Sequence, residues 1–379
     1  MSNADLFALL GLLGAAGLLV VWLLYPLLIR ALAVLRRDAS YPSAGEPMVS
    51  VIIATREDDA TIRRRVDDLR RTTYPHDRLE IIVALDARGS RTSAAALSDL
   101  SSGGGTIVVQ GDEPGGKAAA LNAGVRAARG DVLVFADSAQ RFDPAAIGIM
   151  ARRTMIGRTG AVSGCLHLPD EGNRRSIMHA YWDYEVALRD AEARVHSSVG
   201  VFGPVWAMRR SLWQALPAAL ILDDVYTPMR LVLEGHRVSF ARDAIAYDTR
   251  VPAPGSEFRR KVRTLTGVIQ LCVWMPAVLL PLRNPIWVQF VSHKLLRLLT
   301  PYLLLLIAIS AGGAVVLALG TARALTMLTL AAAVLALLAA HARIRARMRD
   351  ALLWGVGIQA AVVVAAFNGL RGRWDVWHR

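Results

Sequence analysis

Short apolar runs rich in β-branched residues recur through the first half of the chain, with helical stretches between them. The runs predict buried strands and lie at 49–54, 80–85, 106–109 and 132–136. The helical stretches lie at about 60–72, 92–100 and 117–129. This alternation predicts a largely parallel sheet covered on both faces, with its ligand beyond the carboxyl ends of the strands.

A second block, residues 160–250, continues the α/β pattern. Apolar runs predict strands at 160–166, about 199–208 and about 237–246. A polar helix is predicted near 174–196, and another helix opens at Asp223-Asp224.

Longer apolar segments flank this α/β region. Leu6 to Ile29 contains 24 residues without a charge, enough to cross a hydrocarbon core of about 30 Å. It is too long for the apolar core of a cleaved signal peptide and follows an acidic residue, so we expect a retained anchor. Three further candidate spans lie at 295–317, about 325–340 and about 351–369.

The apolar segments and the linker-like residues 38–47 divide the chain into four predicted parts. They are a transmembrane anchor (1–37), a cytoplasmic domain (38–265), interfacial segments (266–294) and C-terminal transmembrane helices (295–379). In the interfacial part, prolines interrupt apolar runs and tryptophans flank them, which is typical of amphipathic segments on a membrane surface. A broken span is the alternative.

The net charge of +13 first suggests nucleic-acid binding. The basic residues, however, concentrate beside the apolar segments, as in cytoplasmic loops under the positive-inside rule. We therefore expect a lipid bilayer and no nucleic acid as a partner, with residues 30–294 on the cytoplasmic side of a bacterial-type inner membrane. The two cysteines, Cys165 and Cys272, lie in apolar surroundings and predict buried thiols.

Polar side chains follow three of the predicted strands. Thr55 and Glu57 follow the first, Asp86 the second and Asp137 the fourth. Because parallel strands end at the same edge of a sheet, these residues are expected to converge there. Turn and helix-cap chemistry is the alternative for any one acidic residue taken alone.

Four stretches carry a resemblance to a known family: VIIATRE at 51–57, GKAAALN at 116–122, VFAD at 134–137 and LDD at 222–224. Their order, spacing and membrane context resemble family 2 glycosyltransferases, which move a sugar from a nucleotide to a growing glycan. The resemblance implies a GT-A-like cytoplasmic domain with N- and C-terminal transmembrane helices. It covers roughly residues 48–300.

The resemblance implies the donor-binding residues. Thr55 and Glu57 stand at the first nucleotide-contacting motif, Asp86 at the residue that contacts uracil, and Lys117 near the nucleotide or its phosphates. Asp137 matches the first residue of the Asp-x-Asp motif, whose second residue is often a metal ligand.

In this chain Ala139 replaces that second Asp, and alanine supplies no oxygen side chain to a hard cation. Asp137, the diphosphate and either Gln140 or Asp143 are the remaining expected ligands for Mg²⁺ or Mn²⁺.

The pair Asp223-Asp224 stands where the family has the catalytic base, so the resemblance implies that Asp224 takes the acceptor proton while Asp223 binds substrate. A helix cap at Asp223 is a compatible alternative. Arg260 and Arg263 stand in a degenerate Gln-x-x-Arg-Trp motif and would neutralise the leaving diphosphate. Binding of lipid headgroups is the alternative for this basic run. Trp206 is a candidate for stacking on an acceptor sugar, and equally for the core.

The resulting prediction is an inverting transferase that uses a UDP-sugar and an envelope-glycan or exopolysaccharide acceptor. Two alternatives stay open at this point. One is transfer of a single sugar to a polyprenyl-phosphate or other lipid, which the incomplete motif ending at Thr264 favours. The other is a non-catalytic membrane scaffold.

Overall fold

The computed structural model describes residues 2–36, 45–102, 104–169, 177–249, 254–340 and 342–375. The predicted linker 38–47 lies largely outside these ranges. The strands are β1 (Val49–Thr55), β2 (Leu79–Leu85), β3 (Thr106–Gln110), β4 (Val132–Ala136), β5 (Gln140–Phe142), β6 (Thr159–His167), β7 (Val205–Arg209) and β8 (Arg237–Asp248).

The strands form a single mixed sheet in the order β3-β2-β1-β4-β7-β6-β8-β5. Strands β1 to β4 pair in parallel, as the sequence predicts. The other half differs from the prediction, because β7 runs antiparallel to both neighbours and β5 runs antiparallel to β8. Strands buried on both faces read as continuous apolar runs whatever their direction, so the pattern did not reveal these reversals.

Helices of the same unit cover both faces of the sheet. The bounds of all the described helices of the chain follow in order. The first seven are α1 (Asn3–Leu19), α2 (Tyr25–Val34), α3 (Asp59–Arg70), α4 (Ser98–Ser102), α5 (Lys117–Ala127), α6 (Ala146–Thr154) and α7 (Ile177–Val195). The next six are α8 (Asp223–Leu233), α9 (Pro254–Trp274), α10 (Trp287–Phe290), α11 (Thr300–Leu319), α12 (Thr321–Ala340) and α13 (Ala342–Leu370).

Helix α3 shows how the sequence specifies one of these elements. The Asp58 side chain accepts a hydrogen bond from the Thr61 amide at 2.9 Å and so satisfies one of the orphan donors at the helix start. Ile62, Val66 and Leu69 follow at helical spacing and are buried, so one stripe of α3 faces the sheet.

The chain divides into two compact units. One contains Met1–Leu28, Pro252–Gln270 and Phe290–Arg379, and the other contains Ile29–Val251 and Leu271–Gln289. The predicted boundary between residues 265 and 266 falls inside α9.

In the first unit, α1 and α11 pack closely. A Cβ added at Gly14 would lie 2.8 Å from the Leu303 carbonyl oxygen, and the Ser310 hydroxyl donates a 2.6 Å hydrogen bond to the Phe7 carbonyl. Among the described residues, two continuous helical stretches have a mean hydropathy of 2.5 and the length needed to cross a membrane. The first, Asn3–Val34, contains α1, α2 and the π-helical turn between them, and the second, Trp287–Leu319, runs from α10 through short helical turns to the end of α11. They contain the predicted spans 6–29 and 295–317. The predicted spans near 325–340 and 351–369 lie in α12 and α13.

Candidate active site

Three parallel strands bring their polar ends to one edge of the sheet. Thr55 ends β1, Asp86 follows β2 and Asp137 follows β4. The Asp86 amide donates a 3.0 Å hydrogen bond to the Thr55 carbonyl oxygen. Glu57 continues the same edge, because its amide donates to Thr55 Oγ1 at 3.0 Å.

Asp86 holds the surrounding loops together through its carboxylate. Its Oδ2 accepts from Arg56 Nε at 2.6 Å, and its Oδ1 accepts from the amides of Arg88 at 2.9 Å and Gly116 at 2.6 Å. Burial raises the pKa of Asp86, but the hydrogen bonds from Gly116, Arg88 and Arg56 outweigh burial and hold that pKa below its usual range. The carboxylate is therefore ionised at neutral pH and ties β2 to the loop before α5.

The loop before α5 approaches Asp86 closely at Gly115. This residue has φ of +83°, and a Cβ there would lie 2.8 Å from Asp86 Oδ1. Glycine meets both the conformational and the steric requirement.

Lys117 is the first residue of α5, and its ammonium lies between two carboxylates. Its Nζ is 3.5 Å from Asp137 Oδ1 and 3.4 Å from Asp223 Oδ1. Burial lowers the pKa of Lys117, but Asp137, Asp223 and Asp224 raise it by more, so the net shift is upward and the side chain stays charged. The carboxylates also offset the unfavourable position of a cation at a helix N-terminus.

Helix α8 presents Asp223 and Asp224 in its first turn, where the helix dipole favours negative charge. The N-cap is Leu222, with no side-chain cap hydrogen bond, so the interpretation of Asp223 as the cap is wrong. Instead, the Asp223 carboxylate contacts Lys117.

The loop at residues 200–203 packs against Asp224. The Val201 amide donates to the Asp224 carbonyl oxygen at 2.9 Å. A Cβ added at Gly203 would lie only 3.1 Å from Asp224 Oδ2. Glycine at position 203 thus leaves room beside a carboxylate that can accept a proton.

The donor set does not fit a divalent cation. Among the described residues, no three His, Cys, Asp or Glu side chains are grouped to hold a metal ion. Of the two substitute ligands expected from the sequence, Gln140 is buried, and its side-chain amide has no hydrogen-bond partner among the described residues. Asp143 Oδ1 accepts a 3.0 Å hydrogen bond from the Ala145 amide. Ala139 adds no oxygen side chain, and Lys117 places a positive charge between Asp137 and Asp223.

Trp206 is not available to stack on a sugar. It lies on β7 with 0% exposure, and its ring stacks on Phe135 with a centroid distance of 4.2 Å. The core interpretation of Trp206 is therefore the right one. Arg260 and Arg263 both lie on α9, in the stretch that belongs to the first unit.

Two positioning contacts escaped the sequence-based prediction. Asn122 on α5 makes a pair of hydrogen bonds to Leu216: its Nδ2 donates to the carbonyl at 3.0 Å, and its Oδ1 accepts from the amide at 2.8 Å. Arg65 on α3 donates through Nε to the Asp137 carbonyl at 3.0 Å. Asn122 belongs to the GKAAALN stretch, but its partner is 94 residues away, and no local pattern signals such a contact.

The chain is similar to known proteins in sequence and in fold. Residues 50–216 match the family model described as Glycosyl transferase family 2. No curated protein matches the sequence.

Among solved structures, the chain is similar to the mannosyltransferase PcManGT from Pyrobaculum calidifontis, which was solved in complex with GDP-Man and Mn²⁺. The TM-score is 0.70 and the sequence identity is 21%, and the alignment covers 98% of this chain and 100% of that chain. The crystal structure of GalNAc-T7 with UDP, GalNAc and Mn²⁺ has a TM-score of 0.44 at 14% identity, with 65% of this chain and 53% of that chain covered.

The first of these likenesses shows the shared fold, a GT-A-like mixed sheet. Three of the four sequence motifs lie within the matched residues 50–216, and the fourth, at 222–224, follows them. The chain thus carries a region, residues 50–216, that matches the model of Glycosyl transferase family 2, and it is a glycosyltransferase.

Proposed function

We propose that the chain is an inverting enzyme that transfers a sugar from a UDP-sugar to a growing envelope glycan or exopolysaccharide at the cytoplasmic face of a membrane. The observation that supports it most is that Lys117 contacts Asp137 and Asp223, while the neighbouring Asp224 lies in the same first turn of α8. A single displacement needs one base and one stabiliser for the leaving group. Glycoside hydrolysis, by contrast, uses a pair of carboxylates.

The proposed reaction balances as one displacement. The acceptor hydroxyl oxygen attacks the anomeric carbon while its proton passes to the Asp224 carboxylate. The bond between the anomeric carbon and the β-phosphate oxygen breaks, and its electron pair leaves with UDP. Lys117 lies on the donor side and offsets the negative charge that develops on the diphosphate. Attack from the face opposite the leaving group inverts the anomeric centre.

The hydrogen-bonding capacity of Asp86 favours uracil as the donor base. A carboxylate has about four acceptor sites, and Asp86 already uses three of them for Arg56, Arg88 and Gly116. One site remains. Uracil presents a single imide N–H, whereas guanine presents an N–H and an adjacent amino group. The GDP-Man bound by the Pyrobaculum enzyme would therefore leave a donor unpaired here.

Asp86→Asn tests this assignment. The new amide would place the donor Nδ2 opposite the donor Arg56 Nε, which disturbs both the loop and the contact to uracil. The UDP affinity should therefore fall about tenfold to hundredfold. Isothermal titration of UDP measures the change. Asp112→Asn is the matched control, since Asp112 is an exposed partner of Arg126 and should leave the affinity unchanged. Unchanged affinity in Asp86→Asn would contradict the role.

Nucleotide release by the full chain in detergent tests the proposed function itself. A panel of UDP-sugars, with GDP-mannose beside them, is expected to give UDP release from one UDP-sugar. Release from GDP-mannose alone would overturn the choice of UDP. No release and no nucleotide binding would favour the scaffold. Adding a polyprenyl phosphate or an oligosaccharide distinguishes the two acceptor classes.

Residues 273–288 form an apolar projection that fits a membrane surface. Leu282 is fully exposed, and Val273, Leu279, Leu280 and Val288 are exposed as well. Hydrogen bonds fix the shape: Asn284 Nδ2 donates to the Val278 carbonyl at 2.8 Å, and Trp287 Nε1 donates to the Leu279 carbonyl at 2.8 Å. Exposed aliphatic side chains beside a tryptophan and a basic residue, Arg283, are typical of a lipid-water interface.

Leu282→Cys carrying a fluorescent label is expected to be quenched by brominated lipids after reconstitution, because the loop tip would enter the acyl boundary. The same label at Ser101→Cys, on an exposed helix of the sheet domain, is the control and should not be quenched. Equal quenching at both positions, or none at Leu282, would contradict the membrane-surface assignment.

A further inference from the structure

The loop that follows β4 is fixed by the protein itself. The carbonyl oxygen of Asp137 accepts from Arg65 Nε at 3.0 Å, and the carbonyl oxygen of Ala139 accepts from the Thr249 hydroxyl at 2.7 Å. Farther along, Asp68 Oδ2 accepts from the Phe142 amide at 3.3 Å, while the same carboxylate is paired with Arg65. The loop therefore needs no metal ion to hold its conformation.

Part of the positive charge that a divalent cation would supply is already present. Lys117 Nζ lies 3.5 Å from Asp137 Oδ1 and 3.4 Å from Asp223 Oδ1, which places an ammonium among the carboxylates of the site. A divalent cation bound to the same carboxylates would be repelled by this ammonium at short range. Ala139 offers no second carboxylate to compensate.

We infer that the Lys117 ammonium takes the place of a divalent cation in this active site, so that sugar transfer proceeds without metal. This inference rests on the proposed function. When the bond between the anomeric carbon and the phosphate oxygen breaks, the electron pair goes to the diphosphate, and Lys117 neutralises it without losing a proton. The acceptor proton still goes to Asp224.

We expect turnover to depend on a metal ion only when Lys117 is replaced and position 139 carries a carboxylate. UDP release by the full chain should be unaffected by EDTA or added Mn²⁺. Lys117→Gln should lower release by about 10²–10³-fold, as expected when one stabiliser of developing charge is lost. That variant already lacks the repelling charge, and adding Ala139→Asp supplies the missing carboxylate, so Mn²⁺ should restore part of the turnover. Lys117→Gln alone should not respond to Mn²⁺.

Manganese binding gives a readout that does not depend on turnover. Electron paramagnetic resonance of Mn²⁺ with the UDP-bound protein should show no binding beyond that of free UDP for the unaltered chain. The double variant Lys117→Gln/Ala139→Asp should bind one ion. Loss of turnover in EDTA with recovery in Mn²⁺, or a bound Mn²⁺ in the unaltered protein, would overturn the inference. No release under any condition, with Mn²⁺ still excluded, would instead count against the proposed function.

Discussion

Asp224→Asn is expected to lower sugar transfer by about 10²–10⁴-fold, the usual contribution of a positioned general base. The amide has almost the shape of the carboxylate but does not accept a proton at neutral pH. The fold should survive, because the hydrogen bond that Asp224 receives from Val201 ends on its backbone carbonyl. The side chain also keeps its place beside Gly203, where a Cβ would lie 3.1 Å from Oδ2.

Initial rates of UDP release and UDP titration together measure this effect. Turnover should fall while UDP affinity stays unchanged, because the base acts on the acceptor. Asp223→Asn is the matched control from the same helix turn. Its loss removes a contact to Lys117 at 3.4 Å and should weaken donor binding as well as turnover. Turnover in Asp224→Asn within tenfold of the unaltered enzyme would mean that another group takes the proton.

The sequence predicted that Thr55, Asp86 and Asp137 converge at one edge of the sheet, because this convergence depends on local pattern. Buried runs end at Thr55, Asp86 and Asp137, and parallel pairing of β1, β2 and β4 brings these ends together. The direction of β7 was not predictable in this way. Its partner strands lie on both sides of it and are distant in sequence, and buried apolar residues carry no sign of direction.

Contacts between distant segments were the least predictable part of the site. The hydrogen bonds from Asn122 to Leu216 and from Arg65 to Asp137 join residues separated by 94 and 72 positions. They depend on the completed fold. Likewise, the missing carboxylate at Ala139 was visible in the sequence, but the ammonium of Lys117 beside Asp137 became apparent only from the geometry.

Trp206→Ala is expected to destabilise the sheet domain by about 3–5 kcal/mol, the usual cost of removing a large aromatic side chain from a core. Trp206 is fully buried and stacked on Phe135, so alanine leaves a cavity against β4. For a domain of this size, that loss corresponds to a fall of roughly 6–20 °C in the melting temperature. A thiol-reactive dye reports it in a Cys272→Ser background, because Cys165 is buried, burial raises its pKa to about 11, and the thiol stays unreactive until the domain unfolds.

Trp206→Phe separates packing from sugar recognition. Phenylalanine keeps a ring against Phe135 and removes an indole N–H that has no hydrogen-bond partner among the described residues, so the melting temperature should fall much less than in Trp206→Ala. If Trp206 instead stacked on an acceptor sugar, alanine would raise the acceptor KM and leave the melting temperature unchanged. A large fall in the melting temperature of Trp206→Ala, together with an unchanged acceptor KM in Trp206→Phe, would place Trp206 in the core. Acceptor recognition would then belong to residues outside β7.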